Sequence, residues 1–401
     1  MIMKIYNKTD LKGKIIFKRI DINSPVESGI VQMNPRIRAH AKSIAELRNA
    51  GAKVVLLAHQ GQQGREDFIS LEQHAKLLEK ELGAPINYID DVVGEKAQNA
   101  IRQLKNGEVL LLNNVRLISD ETKKTHDSEI VNALAPLGHY FILDALSVSH
   151  RDHATVTGFA KRLPSRAGKV LREEISALEK MKDAKNIVFI FGGAKVEDSF
   201  RVMKIWLSTT NKVKKILLGG ALAVLFIYAR GYNVGNSKSY LEKAGLMKYA
   251  QEAREIADKY SDKIEIPIDV GLNIDGKRVD CNIDEIEERE QGQIFDISEK
   301  TLLMYKKVIF NSDFIFMNGP IGVYEMKEFE WGTKHVLEAI SRSKAFSILA
   351  GGHTITAIEK FCIRKDKIGY ISLSGKALVE YLSGAELPGL KALTNSECEF
   401  G

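Results

Sequence analysis

Between Lys14 and Ser372, apolar runs of about five residues alternate with helical patterns of ten or more. This rhythm is the sequence form of repeated βα units, whose strands are covered by helices on both faces and so read as unbroken apolar stretches. Strands are expected at Ile15–Lys18, Val54–Ala58, Val109–Leu112, Tyr140–Leu143, Ile187–Phe191, Ile216–Leu218, Phe314–Met317, Phe346–Ala350 and Ile368–Ser372. The clearest helix runs from Ser70 to Leu82, with Ser70 and Gln73 as a capping box and Gly83 as its stop. A chain of 401 residues exceeds one ordinary core and is expected to form two domains. Leu163-Pro164-Ser165 closes the first set of units, and Leu171, Ile175, Leu178 and Met181 form one stripe of a helix between the domains. The fold class that follows is α/β, with two doubly wound parallel-sheet (Rossmann-like) domains joined by a hinge helix. The acidic stretch from Asp275 to Gln293 lacks periodicity and reads as an insertion or a long surface loop.

In the second half, glycine turns follow strands five times. The first is Gly192-Gly193-Ala194-Lys195, which cuts off the run Ile187–Phe191 and precedes a helical pattern through Val196, Phe200, Val202 and Met203. Such a junction collects anions on its backbone N–H groups, and Lys195 adds a positive charge. Taken alone, it reads equally well as packing glycines beside a solvated lysine. The others are Gly219-Gly220-Ala221, Asn318-Gly319-Pro320, Ala350-Gly351-Gly352-His353-Thr354 and Ser372-Leu-Ser-Gly375-Lys376. Ligands of open α/β sheets bind beyond the carboxyl ends of the strands, so the five turns are expected to share one rim and to offer amide groups to a nucleotide's phosphates. Neither a G-x-x-x-x-G-K-[ST] loop nor a G-x-G-x-x-G fingerprint is present.

The first half carries different chemistry. Its strand ends and turns deliver Asp21 and Asn23, Arg36 and Arg38, His59, Arg116, and then His150-Arg151-Asp152-His153. Each taken singly fits a surface charge or a hydrogen-bonded core histidine. Recurring after successive strands, Arg36, Arg116 and Arg151 form a set whose forked guanidiniums match phosphate and carboxylate oxygens. The net charge of +6 comes from interleaved signs without basic arms, so no nucleic-acid partner is expected. No membrane is expected either, since no apolar run approaches the roughly 18 residues that span a bilayer. Met1 to Lys8 lack the apolar core of a secretory segment, and the widely spaced Cys281, Cys362 and Cys398 fit reduced thiols in a cytoplasm. A small polyanion in one half and a nucleotide in the other describe a kinase that closes over its substrates.

The order of these segments resembles phosphoglycerate kinase, particularly its archaeal-type members, over nearly the whole chain. The matching pieces are Arg19-Ile-Asp-Ile-Asn-Ser-Pro25, Arg36-Ile-Arg-Ala39, His59-Gln-Gly61, Asn114-Val-Arg116, Asp144-Ala145, His150-Arg151, Leu163-Pro164-Ser165, Gly192-Gly-Ala-Lys-Val196, Asn318-Gly-Pro320, Gly322-Val323 and Gly351-Gly-His-Thr354. The resemblance implies reversible phosphoryl transfer between 1,3-bisphosphoglycerate plus ADP and 3-phosphoglycerate plus ATP, with Mg²⁺ accompanying ATP/ADP, in a cytoplasmic monomer. It implies that Asp21, Ile22, Asn23, Arg36, His59, Gln60, Gly61, Gln62, Arg116 and Arg151 line the phosphoglycerate site. It further implies that Gly192, Ala194, Lys195, Gly219, Asn318, Pro320, Glu325, Ala350, Gly351, Gly352, His353 and Thr354 surround the nucleotide, with Glu325 on the ribose. Arg36 and Lys195 would neutralise the transferring group, and the Gly351 and Gly375 turns would donate N–H groups to it.

No metal ligand is assigned. His353 stands where more widespread members have Asp, and it is expected to donate a hydrogen bond because Mg²⁺ prefers oxygen. Residues 1–168 are expected to form the acceptor domain with the tail 385–401 packed on it, and residues 169–384 to comprise the hinge helix and the nucleotide domain. The chain departs from the family where Gln62-Gln63 replaces Arg-Pro, where Ser199 replaces a lysine common among members, and where Ser372-Leu-Ser-Gly-Lys-Ala377 replaces Ser-Thr-Gly-Gly-Gly-Ala. Lys376 is expected to turn inward and supply the charge missing at Ser199. These departures leave two alternatives, a sensor that binds without turnover and a kinase for another small carboxylate or phosphosugar.

Overall fold

The computed structural model describes residues 8–123, 125–289 and 291–400. Residues 1–7, on which the expected lack of a secretory segment rests, lie outside the described residues. The chain divides into two compact units, residues up to 176 with 385 onward, and residues 177–384.

The first unit is built on a six-stranded sheet in the order Asn87–Ile89, Val109–Leu112, Lys53–Leu57, Ile15–Arg19, Tyr140–Leu143, Ser165–Ala167, every neighbouring pair parallel. The chain enters at Ile15–Arg19 in the middle, winds out to one edge and returns to Tyr140–Leu143 on the other side. The second unit repeats the plan with Ile264–Glu265, Val213–Leu218, Ile187–Phe191, Phe314–Asn318, Phe346–Ala350 and Tyr370–Ile371, again all parallel. Its winding reverses between Ile187–Phe191 and Phe314–Asn318. Where winding reverses, the crossovers leave on opposite faces and open a crevice at the carboxyl ends of the strands. Ile187 to Phe191 are all fully buried, as an apolar run covered on both faces must be.

Two local expectations fail. The helix starts at Glu72, not at a Ser70 capping box, because Gln73 is used elsewhere. Its Oε1 accepts the Val31 amide at 3.0 Å and its Nε2 donates to the Gly29 carbonyl at 2.9 Å, tying the helix to the hairpin of Val26–Glu27 and Ile30–Val31. The stop at Gly83 is as expected, with φ 66°. The stretch Asp275 to Gln293 is not a loop. Lys277–Asn282 pairs antiparallel with Asp269–Ile274, which pairs in turn with Gln293–Ile297. Asp275 and Gly276, at φ 49° and 80°, make the two-residue turn, so the Asp-Gly pair was a hairpin signal despite the polar composition around it.

The helix Lys169–Glu179 begins in the first unit, where Asp144 Oδ1 accepts the Val170 and Leu171 amides at 2.8 and 3.4 Å. Asp144 Oδ2 holds Lys18 Nζ and Ser43 Oγ, each at 2.5 Å. The last helix, Pro388–Phe400, returns to the first unit through Ser396 Oγ, which accepts the Ser165 amide at 3.0 Å.

Candidate active site

In the first unit the strand Ile15–Arg19 ends at the point where the winding reverses, and Asp21 and Asn23 follow directly. Asp21 Oδ1 accepts the Asn23 amide at 3.1 Å, its Oδ2 accepts the Ser147 hydroxyl, and Arg36 Nη1 approaches that oxygen at 3.3 Å. Burial alone would raise this carboxyl, but Arg36 and the two hydrogen bonds outweigh it and hold Asp21 well below the usual carboxylate range. Asn34 places Arg36: its Oδ1 accepts the Arg36 and Ile37 amides at 2.9 and 3.3 Å, and Pro35 opens the helix Pro35–Asn49. Arg38, two residues further round the helix, is exposed.

Asn114 Oδ1 likewise caps the turn that carries Arg116, whose Nη1 donates to the Gly61 carbonyl. Asn23 Oδ1 accepts the Gly61 amide at 2.8 Å, which draws this turn towards Asp21. Arg151 follows the short helix Leu146–Ser149, and its Nη1 is buried with no hydrogen-bond partner among the described residues. Burial and the guanidiniums of Arg151 and Arg19 push Arg116 down to about 10, still charged at neutral pH. Burial and Arg19 hold the His59 imidazole neutral, well below its ordinary value. A buried, unpartnered donor among repelling cations is an environment that a bound anion relieves.

Not every expected residue faces this cluster. Ile22 and Gln60 are completely buried, and the Gln60 amide is spent on Ser24, Asp67 and His74 at 2.8 to 3.2 Å. Gln60 therefore braces the turn instead of presenting its side chain to a ligand. Gln62 is exposed.

In the second unit the register sets the strand ends level, with Phe191 opposite Leu218 and Asn318, Asn318 opposite Ala350, and Leu349 opposite Ile371. The five turns thus share one rim. Several of its glycines are required by close approach: a Cβ on Gly192 would run into the Pro320 carbonyl, one on Gly319, at φ 90°, into the Gly192 carbonyl, and one on Gly351, at φ 93°, would lie 2.7 Å from Asn318 Oδ1. Several amides expected to face phosphates are used between turns instead. Gly192 donates to Asn318 O at 3.0 Å, Gly193 to Pro320 O at 2.8 Å, Gly219 to Phe191 O at 2.8 Å and Gly319 to Thr354 Oγ1 at 3.0 Å. Val196 also donates to Ala194 O at 3.0 Å and Gly220 to Ile321 O at 2.6 Å, so what the rim offers an anion is the remaining first-turn amides of the helices Val196–Thr209, Gly220–Ala229, Gly352–Lys360 and Gly375–Leu382, none of which has a side-chain cap.

Ala194 and Lys195 stand exposed at the first of these helix starts. Glu325 Oε1 lies 3.4 Å from His353 Nδ1, and Tyr324 Oη lies 3.2 Å from the same nitrogen, so the exposed Glu325 and His353 are grouped on the hydroxyl of a buried tyrosine. Lys376 does not turn inward. Two-thirds exposed at 66%, it is directed along its own helix Gly375–Leu382, with Nζ 3.6 Å from Glu380 Oε1 one turn on. Ser199, whose missing charge Lys376 was expected to supply, is buried with its hydroxyl on the Lys195 carbonyl at 3.4 Å.

Residues without an expected role also enter the first site. Ser147 bonds Asp21, and Arg19, Thr155 and Glu121 lie directly behind His59. Arg19, at a strand end before Asp21, carried a legible signal. Glu121, in a polar connection, carried none.

A family model described as phosphoglycerate kinase matches residues 6–385. Over 400 residues the chain is 39% identical to the phosphoglycerate kinase of Methanopyrus kandleri, covering 98% of this chain and 97% of that one. Over 396 residues it is 38% identical to that of Methanothermus fervidus, covering 96% and 95%. The crystal structure of phosphoglycerate kinase from Pyrococcus horikoshii OT3 superimposes with a TM-score of 0.88 at 35% identity, covering 96% of this chain and 97% of that one. Likeness of this depth spans both units and both sites, and the chain belongs to the phosphoglycerate kinase family, a family of phosphotransferases.

Proposed function

We propose that the first unit binds 3-phosphoglycerate or 1,3-bisphosphoglycerate and the second binds ATP or ADP, in the family's reversible phosphoryl transfer between these pairs. The observation that carries the acceptor assignment is the buried, unpartnered Arg151 Nη1 beside Arg116, Arg36 and neutral His59. Arg116 and Arg151 offer forked donors to a phosphate or carboxylate, Asn23 and His59 offer single hydrogen bonds, and Asp21 aligns Arg36. The acceptor's carboxylate is already a nucleophile, so no general base is required. Arg36 neutralises charge on the acceptor as it is phosphorylated.

On the nucleotide side, Lys195 meets the charge of the terminal phosphate, and the helix starts at Gly352 and Gly375 supply N–H donors. Among the described residues no cluster of three or more His, Cys, Asp or Glu could hold a metal by itself. That fits Mg²⁺, which keeps its waters and arrives bound to phosphates with one or two carboxylates. Glu197 and Asp198, in the first turn after Lys195, and Glu325 would be the oxygen donors nearest these helix starts. Bound there, Mg²⁺ offsets phosphate charge. Free Cys281, Cys362 and Cys398 fit a reducing cytoplasm, and one chain carries both proposed sites, so a monomer could act alone.

A coupled assay with ATP and 3-phosphoglycerate tests the reading. Arg151→Met should lower kcat/KM for 3-phosphoglycerate by about 10²- to 10³-fold while KM for ATP stays near wild type. Binding without turnover in the wild type would make the chain a sensor, and turnover only with another acceptor would shift the substrate.

A further inference from the structure

Behind His59 runs a buried chain of hydrogen bonds that the acceptor site does not itself use. Arg19 is 1% exposed, and its Nη2 lies 3.0 Å from His59 Nδ1 while its Nε donates to Thr155 Oγ1 at 2.9 Å. Thr155 Oγ1 lies 2.6 Å from Glu121 Oε1, and the Thr155 amide donates to Glu121 Oε2 at 3.0 Å. Glu121 is itself 1% exposed.

With Glu121 ionised, above its value of about 7, the direction of every bond is set by chemistry. A guanidinium has only N–H donors, so His59 Nδ1 must accept, and the ring proton of the neutral imidazole must sit on Nε2. The Thr155 oxygen receives Arg19 Nε, which leaves its single hydrogen for Glu121 Oε1. Both carboxylate oxygens of Glu121 are thereby committed to Thr155. Glu121 and Arg19 are opposite buried charges joined through one hydroxyl, an arrangement costly to desolvate that gains little stability over apolar packing. Its distinctive output is the orientation and tautomer of one imidazole.

We propose that Glu121, Thr155 and Arg19 form a positioning relay that holds His59 as its Nε2–H tautomer, so that this nitrogen is a fixed hydrogen-bond donor to the acceptor ligand. The relay rests on the assignment of His59 to the acceptor site. None of the three relay residues touches the ligand, and the relay acts through His59 alone. Thr155 belongs to a one-turn π-helical segment, Ala154–Gly158, a local irregularity of the kind found where a side chain must be re-aimed.

The test is Thr155→Val, which removes the hydroxyl and keeps the shape, with Thr155→Ser as the conservative restoration and Glu121→Gln as a milder break that leaves an acceptor oxygen. The tautomer is read from ¹⁵N shifts of histidine-labelled protein at pH 8, above the Glu121 value of about 7. Wild type and Thr155→Ser should show His59 in the single Nε2–H form. Thr155→Val should show mixed tautomers, with KM for 3-phosphoglycerate raised about tenfold and KM for ATP unchanged. Glu121→Gln should shift both readouts in the same direction, by less. A pure Nε2–H ring and wild-type KM in Thr155→Val would overturn the relay. A changed tautomer with unchanged KM for 3-phosphoglycerate would instead overturn the place of His59 in the acceptor site.

Discussion

Replacing Asp144 by asparagine should selectively destabilise the first unit. Asp144 is fully buried, with Oδ2 on Lys18 Nζ and Ser43 Oγ at 2.5 Å each and 3.7 Å from His40 Nδ1, while Oδ1 caps the helix Lys169–Glu179. Lys18 is buried too, and burial lowers its pKa even with Asp144 beside it. Asparagine keeps an oxygen for the Val170 amide but turns an NH₂ group towards an ammonium and a hydroxyl. A buried cation stripped of its partner costs about 3–5 kcal/mol, and the lost charge at the helix start adds about 0.5 kcal/mol. Lys18 can escape by shedding its proton. Its folded pKa then lies further below the unfolded 10.5, so the folded state binds fewer protons and the variant regains stability as pH rises towards 10.5.

Guanidinium unfolding can separate the units, because both tryptophans, Trp206 and Trp331, lie in the second. Far-UV circular dichroism should show an early transition in Asp144→Asn that tryptophan fluorescence does not follow. Adding Lys18→Met should recover at least half of the loss. A deficit below about 1 kcal/mol, or a double variant no more stable than the single one, would refute the buried-pair argument.

Three further outcomes are expected. Gly192→Ala, whose Cβ would enter the Pro320 carbonyl, should displace the rim and weaken ATP binding at least about tenfold by calorimetry, with 3-phosphoglycerate binding unaffected. Lys376→Gly should keep kcat within about twofold of wild type, because its ammonium faces Glu380; a tenfold loss would mean that it reaches the transferred group after all. Burial, opposed by Arg19, raises the Glu121 carboxyl from 4.5 to about 7, so its protonated form is favoured on folding. The stability this contributes is present below pH 4.5 and lost as pH rises through 7, about 3 kcal/mol at 1.36 kcal/mol per unit. Chemical denaturation across that range should show wild type falling relative to Glu121→Gln, and parallel profiles would count against it.

The parallel strands were legible because each must be apolar on both faces: Val109–Leu112, Tyr140–Leu143, Ile187–Phe191 and Phe346–Ala350 have the bounds their composition implies. The meander after Asp269 was not, since its strand Lys277–Asn282 is polar and mostly outside the core, and only the Asp275-Gly276 turn marked it. The Ser70 capping box was overridden because Gln73 found partners in a hairpin some forty residues earlier in the chain.

The sequence by itself determined which residue types stand at strand ends: arginines, Asp21 and His59 in one unit, glycines and Lys195 in the other. Tertiary structure alone decided which of them keep polar groups free at the strand ends. Parallel register levels the glycine turns into one rim, yet the bonds between those turns consume the amides of Gly192, Gly193, Gly219 and Gly319 and leave anion binding to helix starts. It turned Lys376 out along its helix and buried Gln60, and it set Glu121 behind His59 across a long gap in the chain. Hydrogen-bond saturation is a property of neighbours in space, and a linear string carries residue types but not those neighbours.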